Sequence, residues 1–203
     1  MLDKNPKQIL DNNLVQILNE FSSKNPNIIL CSEPFMKSQF LNELIDSVDL
    51  HVIFLDFDLL YTGYVVSEML EKNTRVEIYH PKKDNLEEIF SEIAKKVSVK
   101  KYLVILDSFN GLYNLFTEIE SGIFVNTIIM LLASIASQKN SIIVVSAMAR
   151  KMKNGGWVLS PGGRHIINST NSGIYYVNSE GKSLILKSLN YDGSLKIFRI
   201  DLM

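Results

Sequence analysis

The chain has 203 residues, 46% of them apolar, one cysteine and a formal net charge of −1. That length suits one domain with a sizeable core and leaves little room for a second. The near-neutral charge excludes a global basic field, so contact with nucleic acid would have to come from a local patch. A single cysteine excludes an internal disulfide and fits a reducing compartment.

The start, MLDKNP, lacks the basic-then-apolar layout of a signal peptide. Residues 6–21 form an amphipathic helix, with Ile9, Leu10, Leu14, Ile17, Leu18 and Phe21 at helical spacing and Pro6 in the first turn. An apolar strand (Ile28, Ile29, Leu30) then enters a short loop. A helix opens at Lys37 and Ser38 and carries Phe40, Leu41, Leu44 and Ile45. Residues 51–57 read as a strand, 65–70 as a helix and 75–79 as a short strand ending before Pro81. Asp84 or Asn85 caps a helix whose buried face is Leu86, Ile89, Phe90, Ile93 and Val97.

Residues 102–106 are a continuous apolar strand ending in Asp107. Residues 123–137 form a helix apolar nearly all round, which predicts burial on several sides. Its apolar run holds Asn126, Thr127 and Ser134 and is shorter than the ~18 to 20 residues of a membrane span. With the polar start, this points to a soluble, cytoplasmic protein with no membrane segment. Residues 141–145 are another strand, and residues 151–163, rich in Gly, Lys and Ser, read as a mobile loop. The remainder reads as β: 173–177, 183–189 and 195–200, with turns at 179–182 and 191–194. Apolar strands alternating with helices predict an α/β domain. Its sheet is mainly parallel, covered on both faces, and extended at one edge by C-terminal antiparallel strands.

Residues 27–40, NIILCSEPFMKSQF, have the layout of a phosphate-binding P-loop, G-x-x-x-x-G-K-[ST], without its glycines. Cys31 and Met36 hold the glycine positions, while Lys37 and Ser38 fit. A P-loop needs inward-pointing N–H groups and the dihedral freedom of glycine. Met36 and Phe35 add bulk, and Pro34 has no N–H to donate. Two readings stand: a nucleotide site using Lys37 on phosphate and Ser38 on Mg²⁺, or a surface lysine beside a helix cap. At the end of the 102–106 strand, Asp107 is either a Mg²⁺ ligand or a turn cap. Cys31, ending a buried strand, is a small hydrophobe. The three histidines, His165 among them, have no metal-ligand spacing.

The segment LDSFNGLY (106–113) is similar to the Asp-Ser-x-x-x-Leu run of the RecA/RadA recombinases. FLDFD (54–58) resembles that family's Tyr-Ile-Asp-Thr-Glu strand end, whose Glu activates water. The resemblance makes Asp58 the candidate base, with a reach about 1.5 Å shorter than a Glu; a solvated strand-end carboxylate is the other reading. SIIVVSAM (141–148) resembles the strand ending in the family's γ-phosphate-sensing Gln, with Ala147 in its place. Residues 161–174 match the end of the second DNA-binding loop, with Asn168 at a His position and Gly173 at an Arg.

The resemblance runs from residue 27 to the C-terminus and, in size, is strongest to the short archaeal RadA paralogues, a RadB-like core, with a degenerate Walker A motif in this chain where RadB is expected to have an intact P-loop. It implies a RecA-like P-loop NTPase fold over residues 1–203, with an N-terminal helix (1–24) and a C-terminal β segment (173–203). ATP and Mg²⁺ are the implied cofactors, held by Lys37, Ser38 and Asp107. The segment matching the DNA loop clusters Arg150, Lys151, Lys153 and Arg164 around Trp157, whose setting predicts exposure. Cations track a phosphate backbone and an aromatic stacks a base, for about 1–3 kcal/mol; a solvated flexible loop has the same composition. The reading that follows is an accessory protein of homologous recombination or repair with weak or no ATP hydrolysis. It would bind single-stranded DNA or a recombinase, alone or as a homo- or hetero-oligomer. The alternatives are a divergent ATPase of the RecA/KaiC-like superfamily and a non-catalytic RecA-like subunit of a ring.

Overall fold

A computed structural model describes residues 6–116, 121–152, 157–160, 166, 169–188 and 195–202, with the side chains of residues 6–12 and 121 outside that description. The elements in chain order are α1 (Pro6–Ser22), β1 (Asn27–Cys31), α2 (Pro34–Ser47), β2 (Val52–Asp56), α3 (Leu60–Val66), β3 (Val76–Tyr79), α4 (Leu86–Val99) and β4 (Leu103–Asp107). Then follow α5 (Phe109–Asn114), α6 (Ser121–Ser137), β5 (Ile142–Lys151), β6 (Trp157–Leu159), β7 (Gly173–Glu180), β8 (Ser183–Ser188) and β9 (Ile197–Asp201).

The strands form one sheet in the order β3-β2-β4-β5-β1-β7-β8-β9, with β6 paired to β5 off that path. β3, β2, β4, β5, β1 and β7 run parallel. β8 and β9 add antiparallel strands at one edge, as the C-terminal β pattern predicted. Gly181, at φ +62°, opens the two-residue turn joining β7 to β8, a conformation other residues rarely adopt.

Alternate strand residues serve opposite faces. Ile29, Cys31, Phe54, Ile105 and Val144 lie in one core cluster with residues of α1, α2 and α3. Ile28, Leu30, Ile53, Val104, Leu106 and Val145 lie in the other, with residues of α4, α5 and α6. This double burial is why each central strand reads as an unbroken apolar run. Phe54 stacks on Tyr61 at 4.1 Å between centroids, and the Tyr61 hydroxyl donates to Asn42 Oδ1 at 3.0 Å.

Five elements differ from the sequence expectation. α2 begins at Pro34, not at Lys37, because proline's fixed φ and missing N–H suit a first helical turn. α3 covers residues 60–66 rather than 65–70. α5 was not foreseen; it is six residues long and capped by Ser108. β5 runs on to Lys151 and pairs with β6, so part of the expected mobile loop is a β-hairpin. α6 is not buried all round: Val125, Ile129, Leu132 and Ala136 face the core, but Ile123, Phe124 and Leu131 are exposed. No helix among the described residues is long and apolar enough to cross a membrane.

Candidate functional site

The carboxyl ends of β1, β2, β4 and β5 lie side by side, the edge of a parallel sheet where α/β folds place ligands. Only Ser32 and Glu33 separate β1 from α2. Lys37 lies inside the helix, and its N–H donates to Glu33 C=O at 3.1 Å. A P-loop would keep that stretch open and aim its N–H groups at a phosphate. Met36, at the second glycine position, is packed into the core, while Phe35 is exposed and meets Tyr64 edge-on at 5.2 Å.

Lys37 and Asp107 are both fully buried and form an ion pair, with Lys37 Nζ on Asp107 Oδ1. Ser146 Oγ donates to the same oxygen. Burial pushes the Asp107 carboxyl up from its ordinary value, and the Lys37 ammonium and the Ser146 hydroxyl pull it back. The structure brings Lys37 and Asp107 together, and Lys37 is buried rather than on the surface. Ser38 is also fully buried, and among the described residues its hydroxyl has no hydrogen-bond partner.

Asp56 was missed as a site residue. It ends β2 directly opposite Asp107 in the parallel register and is 1% exposed. Its Oδ2 accepts from Thr62 N at 2.8 Å and Thr62 Oγ1 at 2.6 Å, and Thr62 Oγ1 reaches His80 Nε2 at 3.0 Å. The available signal was that adjacent parallel strands each end in Asp. Asp56 Oδ1 and Asp107 Oδ2 lack hydrogen-bond partners among the described residues.

Asp58, the candidate base, is half-buried and turned onto α5. It accepts a hydrogen bond from Ser108 Oγ, which itself accepts from Gly111 N at 3.2 Å. Asp58 thus braces the hydroxyl that caps α5. Cys31 is buried at the end of β1, and burial raises its thiol far above the usual range, which leaves it an inert hydrophobe. Ala147 is buried.

Arg150 and Lys151 are exposed at the end of β5, where Lys151 pairs with Trp157 of β6. Trp157 is half-buried, not exposed as its setting in the sequence suggested. It stacks on Tyr176 of β7 at 3.7 Å and 29°. Lys153, Arg164, His165 and Asn168 lie outside the described residues.

Three solved structures share this architecture. A DnaB-like replicative helicase, solved in a study of its interactions with primase, matches at a TM-score of 0.59 and 11% identity over 89% of this chain. The match takes in 57% of the helicase chain, so this chain spans little more than half of that relative. A second match, to a structure described as an ATPase domain, has a TM-score of 0.55 and 10% identity over 94% of each chain. The fold is RecA-like. A RadB recombinase also matches, at 0.50 and 13% identity, over 87% of this chain and 89% of that one. At these identities the likeness is one of fold. No protein-family model matches the sequence, and no curated protein does.

The nucleoside triphosphate and Mg²⁺ that such a fold implies are matched only in part by the described residues, on the cation side and not at the phosphates. Ser38, Asp56 and Asp107 offer buried oxygens suited to a hard cation. Among the described residues, the stretch that would cradle a phosphate is not an open loop. It is helix from Pro34 onward, Met36 fills the core, and the Lys37 ammonium is already committed to Asp107.

Proposed function

We propose that this chain is a RecA-fold accessory protein of DNA recombination or repair that works without ATP turnover. It offers the β5–β6 hairpin to single-stranded DNA. The observation that carries the first half is the buried Lys37–Asp107 pair beneath a helix that starts at Pro34. A lysine kept for phosphate has to face the ligand, whereas this one neutralises the strand-end aspartate from within. Asp58 accepts from Ser108 and serves the cap of α5. The second half rests on Arg150 and Lys151, exposed at the end of β5 where it pairs with β6, with Lys153 and Arg164 close by in the sequence. In this reading the cations follow the phosphates. Trp157 steadies the hairpin through Tyr176 and has only its remaining surface for a base.

Two measurements test the proposal. Millimolar ATP with Mg²⁺ is expected to leave the melting temperature unchanged, whereas a nucleotide at 100 times its Kd would stabilise the fold by about 2.7 kcal/mol. A labelled oligo(dT) is expected to bind at low salt and weaken as salt rises. Each phosphate contact adds about −0.7 to the log–log slope, giving about −3 if all four cations engage. The double variant R150A/K151A should roughly halve that slope. No binding of the wild type at low salt would remove DNA from the reading.

A protein partner is the second reading, favoured by the exposed apolar stripe of Ile123, Phe124 and Leu131 on α6. Light scattering with and without a recombinase would reveal it.

A further inference from the structure

The β5–β6 hairpin leaves the sheet where β4 has stopped. The last β4–β5 pair is Leu106 with Val145, and the first β5–β6 pair is Ala149 with Leu159. Across that gap sits Asn110, 6% exposed, near the start of α5. Its Oδ1 accepts from Met148 N at 2.7 Å, and its Nδ2 donates to Ser160 C=O at 2.6 Å. Met148 C=O in turn accepts from Ser160 N at 2.9 Å. One side-chain amide thus stands in for a strand, bonding to both arms of the hairpin at its base.

Asn110 is also three residues from Asp107. The intervening turn is fixed at both ends of Asp107-Ser108, by Lys37 and Ser146 on one residue and by Asp58 on the other. On β5 itself Ala147, just past the last β4–β5 pair, is buried and has no polar side-chain atom with which to make such a link.

We infer that Asn110 is a positioning residue that sets the β5–β6 hairpin on the sheet and ties it to the Lys37–Asp107 ion pair. The use of that hairpin on DNA rests on the function proposed above; the tether itself does not. Buried amide bonds to two backbone groups have no water to replace them, so their loss frees the hairpin before it touches the rest of the sheet.

Amide hydrogen exchange on the full chain tests this with N110A and N110D. N110D keeps the acceptor for Met148 N–H but sets a carboxylate oxygen against Ser160 C=O. In both variants Arg150, Lys151 and Val158 should exchange at least about tenfold faster, while β1, β2 and β4 keep wild-type rates. N110D should retain more protection at Met148 than N110A does. Unchanged exchange in the hairpin, or a uniform rise across all strands, overturns the tether. Oligo(dT) affinity is read on the same samples. If the wild type fails to bind, the DNA reading falls while the exchange pattern still decides the role of Asn110.

Discussion

Replacing Lys37 with methionine is expected to lower the melting temperature by about 10 °C near neutral pH. The side chain is fully buried against Asp107, so the substitution leaves a carboxylate enclosed without its counter-ion. Removing one partner of a buried pair costs about 3–5 kcal/mol, and a domain of this size loses about 2–4 °C per kcal/mol.

The pH dependence has a definite sign. Burial already pushes the Asp107 carboxyl up, and loss of the Lys37 ammonium removes the largest influence pulling it down. Its folded-state value then lies well above the unfolded ~3.9. A group of that kind favours the folded state at low pH, and this contribution is lost as pH rises through the folded value. The gap between K37M and wild type should therefore shrink from about pH 8 towards about pH 5, read by urea unfolding. K37M/D107N removes both charges while keeping an oxygen to accept from Ser146, and should recover most of the loss. A K37M variant that melts within about 2 °C of wild type would mean that the lysine is exposed and free for a phosphate.

The architecture was legible because both faces of the sheet are covered. Central strands such as Leu103–Asp107 and Val52–Asp56 are apolar throughout, and their aspartates mark the strand ends. The chemical meaning of the P-loop-like segment was only half legible. Missing glycines left open whether the loop closes round a phosphate. The further consequence, that Glu33-Pro34 starts the helix a turn early and drives Lys37 inward, depends on tertiary packing of Met36 and Phe40. α5 escaped notice because six residues give too few turns for a periodic signal, and it is held by the Ser108 cap rather than by helix propensity. Trp157 looked exposed because its partner, Tyr176, is distant in sequence and adjacent only in the sheet. The exposed side of α6 was hidden by composition: a helix apolar nearly all round does not say which of its faces the protein covers.

The seating of Asp58 on α5 can be tested without any ligand. Gly111 lies where a methyl group would collide with Asp58 Oδ1 and come within 2.7 Å of Phe57 Cβ. The first of these atoms ends a side chain and can move; the second is fixed to the backbone beside β2. Gly111→Ala is therefore expected to destabilise by about 1–3 kcal/mol, the usual cost of overpacking, despite alanine's better helix propensity. Gly63 on α3 provides the contrast, because nothing lies within 4 Å of its would-be Cβ. Gly63→Ala should be neutral or stabilising by up to about 1 kcal/mol. Adding Asp58→Ala to Gly111→Ala removes the first of these collisions and should return part, but not all, of the lost stability, since Phe57 Cβ remains. The order of melting temperatures is the decisive result. If G111A matches or exceeds wild type, Asp58 does not rest on α5 and its carboxylate is free to face water, as a catalytic base must. If G111A melts well below both wild type and G63A, the carboxylate belongs to the packing that holds Ser108 and the turn after Asp107.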